Sequence, residues 1–70
     1  MNLEELEYQQ KVLNEEYEVL LENKKCIQKL EKYNSRTEYL EFINNIFSAM
    51  IKNREAQTEC LKQQLSLLNK

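Results

Sequence analysis

Apolar and aromatic side chains recur at every seventh position through most of this 70-residue sequence. This main row comprises Val12, Val19, Cys26, Tyr33, Leu40, Phe47, Arg54, Leu61 and Leu68. Only Arg54 interrupts it. A seven-residue repeat is typical of an amphipathic helix that packs against another helix.

A second apolar row accompanies the main row, but its position on the helix changes along the chain. The N-terminal half supplies Leu3, Leu6, Leu13, Tyr17, Leu20 and Ile27, and the C-terminal half supplies Leu30, Ile43, Met50, Ile51 and Leu65. Such a shift indicates a discontinuity in the heptad repeat near residues 27–37. We therefore predict an all-α chain in which residues 1–70 form a single coiled-coil segment. Its long helix assembles into a dimer or a bundle of three or four helices.

The segment from Ser35 to Glu38 allows a second arrangement. Serine followed three residues later by glutamate is the capping box that begins many helices. A helix that begins here gives a helical hairpin turning near residues 34–37, with two arms of nearly equal length. Against a turn, the main row crosses this segment without losing its register, and the sequence has no glycine to end the first helix. The continuous helix is the first prediction, and the hairpin is the alternative.

The apolar stripe predicts association with another helix. A lone helix of this length would extend about 105 Å and leave the stripe in water. Burying one large aliphatic or aromatic side chain contributes about 1.5–3 kcal/mol, so assembly is the main source of stability. The predicted interface residues are Leu6, Leu13, Tyr17, Leu20, Ile27, Leu30, Tyr33, Leu40, Ile43, Phe47, Met50, Ile51, Leu61, Leu65 and Leu68.

Residues 39–51 carry an apolar surface that covers more than half of the helix circumference. This surface is wider than the contact stripe of a two-stranded coil. One interpretation is the core of a three- or four-helix bundle. The other is a docking site for a partner's helix that adds Tyr39, Phe42 and Ile46 to the interface.

The composition favours helix and argues against both loops and disorder. Glycine and proline are absent, although together they average about 12% of ordinary proteins. Hydrophobic residues make up 41% of the chain, which is high for a disordered segment.

Charge is distributed unevenly, although the formal net charge is only −2. Residues 1–22 hold seven glutamates and one lysine, whereas residues 23–36 hold five basic residues and one glutamate. A parallel, in-register homodimer would place like charges side by side. We therefore expect the chain to partner itself in an antiparallel or staggered homo-oligomer, or to pair with another helical protein. The sequence pI near 5.2 and apolar runs of at most three residues argue against nucleic acid and membrane as partners.

The residues that support catalysis or metal binding are scarce. Histidine, aspartate and glycine are all absent, which excludes the usual catalytic triads, metal-ligand sets and phosphate-binding loops. We predict no catalytic, cofactor-binding or metal-binding residue. Cys26 and Cys60 are expected to be reduced thiols, which favours a cytoplasmic protein, with a nuclear or cytoskeletal assembly as a further setting.

These observations predict a non-enzymatic coiled-coil segment that mediates self-association or scaffolding of its parent protein or complex. The alternative function is an adaptor that docks a partner through the apolar face of residues 39–51. The sequence is compatible with a whole small subunit and with a segment of a longer filamentous protein.

Overall fold

The computed structural model describes residues 2–29 and 35–69, which form two α-helices and no strand. Helix α1 spans Leu3–Lys29 and helix α2 spans Arg36–Leu68. The all-α prediction is confirmed.

The two helices pack side by side and run in opposite directions. Gln10, early in α1, contacts Gln57, late in α2, whereas Lys24, late in α1, lies over Phe47, early in α2. The longest dimension is 54 Å, about half the length of a continuous helix. The chain therefore forms the helical hairpin that was the alternative prediction, and it does not form one continuous helix. The predicted heptad discontinuity near 27–37 includes residues 30–34, which lie outside the described residues.

The start of α2 is fixed by the capping box. Ser35 has an extended backbone, with φ −63° and ψ 150°, and its hydroxyl oxygen accepts a hydrogen bond from the Glu38 N–H at 3.2 Å. Asn2 plays the same role for α1, because its side-chain oxygen accepts a hydrogen bond from the Glu5 N–H at 2.9 Å. Both caps satisfy N–H groups that have no partner within their own helix. The capping box predicted from Ser35 and Glu38 thus marks the start of α2.

Each helix contacts the other through a stripe with heptad spacing. On α1 the covered positions are Leu3, Leu6, Gln10, Leu13, Tyr17, Leu20, Lys24 and Ile27. On α2 they are Tyr39, Ile43, Ile46, Met50, Asn53, Gln57, Cys60, Gln64 and Leu67. We call these two stripes together the inner seam. Leu21 and Ala49, beside the seam, are also half-buried.

The main row of the sequence is not the contact between the two helices. Its members Val12, Val19, Leu40, Phe47, Leu61 and Leu68 are all exposed. The inner seam instead contains five polar residues, Gln10, Lys24, Asn53, Gln57 and Gln64, which a count of apolar positions passes over. Polar side chains are tolerated there because several of them form hydrogen bonds with one another.

Candidate association surface

Helix α2 carries a second heptad-spaced stripe on its exposed side, which we call the outer seam. Its positions are Leu40, Asn44, Phe47, Ile51, Arg54, Thr58, Leu61, Leu65 and Leu68. The six apolar members each leave between 42% and 67% of their surface in contact with solvent. A spacing of alternately four and three residues is the spacing with which helices interlock along their length.

The outer seam lies directly beside the inner seam on α2. Each of its positions follows an inner-seam position by one residue, as Leu40 follows Tyr39 and Leu61 follows Cys60. One residue corresponds to a rotation of about 100° around the helix axis. Helix α2 therefore has two contact stripes, of which α1 covers one and leaves the other exposed.

A chain of amide groups holds the inner seam together near its middle. Asn53, only 2% exposed, donates one hydrogen bond to the Leu13 carbonyl oxygen at 3.0 Å and another to Glu16 Oε1 at 3.1 Å. Its own carbonyl oxygen accepts a hydrogen bond from Gln57 Nε2. Gln57 Oε1 in turn accepts a hydrogen bond from Gln10 Nε2 at 3.1 Å. This polar layer favours one alignment of α1 against α2, because sliding either helix would leave the buried Asn53 amide without its partners.

The end of the hairpin that holds the N-terminus of α1 is closed by two buried side chains. Leu6 is 1% exposed and Cys60 is 3% exposed. The Cys60 thiol donates a hydrogen bond to the Leu6 carbonyl oxygen, with a separation of 3.2 Å, and accepts one from Gln64 Nε2 at 3.5 Å. Both cysteines are free, and Cys26 is exposed.

A shallow groove of about 650 Å³ runs along the outer seam beside α1. Its apolar walls include Tyr17, Phe47 and Ile51, and Glu59 and Lys62 stand among its charged residues. Two cation–π contacts border it: Lys24 Nζ lies 5.1 Å from the Phe47 ring centroid, and Arg54 Cζ lies 5.5 Å from the Tyr17 centroid. Long basic side chains thus cover part of two aromatic rings without closing the outer seam.

The structure divides the predicted interface residues between the two seams. The inner seam takes Leu6, Leu13, Tyr17, Leu20, Ile27, Ile43 and Met50, and the outer seam takes Leu40, Phe47, Ile51, Leu61, Leu65 and Leu68. Leu30 and Tyr33 lie outside the described residues. Of the predicted docking residues, Tyr39 and Ile46 are half-buried in the inner seam, whereas Phe42 is 50% exposed and belongs to neither seam. The wide apolar surface of residues 39–51 therefore consists of two adjacent stripes and the separate side chain of Phe42.

Sequence reasoning missed the polar residues of the inner seam, above all Gln10, Asn53 and Gln57. The signal for them was spacing: Asn53 and Gln57 continue the alternation of three and four residues set by Ile46 and Met50. Because their side chains are amides, a pattern of apolar positions does not include them.

The described residues offer little else that could form a site. Within residues 2–29 and 35–69, no group of three or more metal-binding side chains comes together. Neither helix, over the same ranges, contains a stretch long and apolar enough to cross a bilayer. The outer seam of α2 is thus the main candidate surface.

Compared with known proteins, the chain matches no family model, no curated protein and no solved structure. The interpretation of the outer seam therefore rests on its own geometry.

Proposed function

We propose that the hairpin is a non-enzymatic self-association module in which the outer seam of α2 packs against the outer seam of a second copy. In this role it joins copies of its parent protein or complex, as a scaffold segment does. The observation that carries the proposal is the exposure of six large apolar side chains at heptad spacing, beside a seam already filled by α1.

The balance of free energies favours an occupant that brings an apolar stripe of its own, as a second copy does. Fully burying a large apolar side chain contributes about 1.5–3 kcal/mol, so covering the exposed half of one contributes roughly 1 kcal/mol. Six such side chains supply roughly 6 kcal/mol, whereas association costs about 4–15 kcal/mol in lost freedom of motion. A symmetric contact uses the same surface on both partners, so the gain rises to roughly 12 kcal/mol. A partner that brings no apolar surface of its own gives only half of this.

The state of the cysteines supports a reducing compartment, such as the cytoplasm. Cys60 lies against Leu6, and Cys26 is twenty residues further along α1, roughly 30 Å away. A disulfide within one hairpin is therefore excluded by distance. Free thiols are typical of proteins in the cytoplasm or nucleus.

An adaptor that captures a helix of another protein is the second candidate, and Phe42 is the observation that favours it. Its ring is half exposed, yet it lies outside the outer seam and has no role in the symmetric contact. A Phe42→Glu substitution separates the two functions, because it leaves the mass of a self-associated form unchanged but weakens capture of a partner at this ring.

The proposed function is tested by placing a charge in the outer seam. Ile51 is 60% exposed, so Ile51→Glu should leave the hairpin folded while opposing the contact between copies. The matched control is Ser48→Glu, which adds the same charge to an exposed position on α2 outside the seam. Size-exclusion chromatography with light scattering gives the mass, and circular dichroism checks the helix content.

We expect the native chain and Ser48→Glu to show a mass above one chain, and Ile51→Glu to show the mass of one chain with unchanged helix content. A native chain that keeps the mass of one chain at several hundred micromolar would contradict the proposal. So would an Ile51→Glu variant that assembles as the native chain does.

A further inference from the structure

Resting on the proposed function, we infer that the two α2 helices pack antiparallel in one register. In that register Phe47 of one copy lies opposite Leu65 of the other, and Ile51 lies opposite Leu61. The two hairpins then form a four-helix assembly in which α2 is central and α1 lies outside.

The register follows from matching layers along the outer seam. When two such stripes meet in opposite directions, each layer joins a position from the set 40, 47, 54, 61, 68 with one from the set 44, 51, 58, 65. In the inferred register apolar meets apolar at the Phe47 and Ile51 layers, and Arg54 meets Thr58 near the centre. Apart from Asn44, which lies opposite Leu68, polar side chains thus face each other rather than an apolar partner.

A shift of seven residues in either direction gives a neighbouring register that matches the layers poorly. One direction places Arg54 opposite Leu65 and Thr58 opposite Leu61. The other places Phe47 opposite Thr58, Ile51 opposite Arg54, and Asn44 opposite Leu61. Three kinds of layer then bury a polar group against an apolar one, which costs free energy wherever the polar group loses its hydrogen bonds to water. The register with Phe47 opposite Leu65 has only one such kind of layer, Asn44 opposite Leu68.

Parallel packing is disfavoured because it places like charges side by side. A parallel symmetric pair places every outer-seam residue beside its own copy, so Arg54 would face Arg54 within the contact. Two arginines side by side repel each other unless each keeps its guanidinium group over Tyr17 of its own hairpin. Antiparallel packing in the inferred register offsets the two arginine backbones by about 6 Å along the axis and places Thr58 opposite each of them.

Distances between spin labels on two copies test the inference. The label is attached to Ser66→Cys in a Cys26→Ser background, where the remaining thiol of Cys60 is buried and protected. In the inferred register position 66 lies opposite position 46 of the other copy, so the two labelled backbones are roughly 30 Å apart along the axis. Parallel packing brings them to roughly the 8–10 Å that separates neighbouring helix axes.

A mixed sample gives the matched measurement. When one copy carries the label at Ser48→Cys and the other at Ser66→Cys, the inferred register brings the two positions almost level, within roughly 3 Å along the axis. A long distance between two labels at position 66, together with a short distance in the mixed sample, supports the inference.

The remaining outcomes overturn it in distinguishable ways. A short distance between two labels at position 66 indicates parallel packing and leaves self-association standing. A distance of roughly 40 Å, or of roughly 20 Å, between them indicates a register shifted by seven residues in one direction or the other. A single-chain mass with no distance between copies removes the proposed function and this inference together.

Discussion

The guanidinium group of Arg54 lies over the ring of Tyr17, with 5.5 Å between Cζ and the ring centroid. Arg54 is the one residue that interrupts the main row, and this contact gives it a role within the hairpin. It belongs to the outer seam by position but contacts α1 with its charged end. Arg54 therefore links the packing of α1 on α2 with the proposed contact between copies.

Replacing Arg54 with leucine is expected to affect these two contacts in opposite directions. Arg54→Leu removes the cation–π contact, which destabilises the hairpin by about 0.5–1 kcal/mol. It also makes the outer seam continuously apolar between Phe47 and Leu61, so self-association should tighten by about tenfold, or about 1.4 kcal/mol. Sedimentation equilibrium measures the dissociation constant, with Arg54→Lys as the control that retains the charge. Weaker association of Arg54→Leu than of Arg54→Lys would show that position 54 lies outside the contact.

The stability of the hairpin should depend on the Asn53 amide as a hydrogen-bond donor. Asn53→Asp keeps the shape of the side chain but removes both donated hydrogen bonds and places a carboxylate beside the Leu13 carbonyl oxygen and Glu16. We expect a loss of about 3 kcal/mol or more in the free energy of unfolding at neutral pH. The same change at the exposed Asn45 should alter it by no more than about 0.5 kcal/mol. Equal urea midpoints for the two variants would contradict the hydrogen-bonded layer.

The capping hydroxyl of Ser35 should stabilise α2 measurably. Ser35→Ala removes the acceptor of the Glu38 N–H hydrogen bond, and we expect it to lower the free energy of unfolding by about 1 kcal/mol. In a domain of this size, that corresponds to about 4–8 °C in the melting temperature. Ser48→Ala, in the interior of the same helix, is the control and should be neutral or slightly stabilising. If both variants melt together, α2 does not begin at Ser35.

The two cysteines should differ sharply in their reaction with a thiol reagent. Cys26 is exposed, whereas Cys60 is 3% exposed and hydrogen-bonded to the Leu6 carbonyl oxygen. A native sample mixed with a chromogenic disulfide should release one equivalent per chain quickly. The second should follow roughly a hundredfold more slowly, because Cys60 reacts only after local opening. Cys60→Ser identifies the slow thiol, and two equally fast thiols would show that α1 does not cover Cys60.

The sequence predicted the class of fold because its helical signals are strong and agree with one another. The absence of glycine and proline, together with the heptad repeat from Val12 to Leu68, indicated helices throughout. The hairpin is harder to predict, because the only signal for it in the sequence is the capping box at Ser35, a short motif that often occurs by chance. The competing signal was a row of nine positions that only Arg54 interrupts. The structure leaves every described member of that row exposed.

The inner seam was hard to predict because its stability depends partly on hydrogen bonds between distant residues. In the sequence, Asn53 and Gln57 are polar residues of the kind usually found at a surface. Their partners Gln10 and the Leu13 carbonyl oxygen belong to the other helix and lie opposite them only in the folded chain. That juxtaposition depends on the alignment of the two helices, which a periodicity along one helix does not contain. The outer-seam residues Phe47, Ile51 and Leu61 were all among the predicted interface residues, and their contact with a partner stays a prediction.

Sedimentation equilibrium of the native chain over a range of concentrations tests the central claim most directly. If the outer seam of α2 binds a second copy, the mass should rise reversibly from that of one 8.5 kDa chain at low concentration to twice that value at high concentration. A mass that stays at one chain across the whole range, for a sample whose helix content matches the hairpin, would contradict the claim.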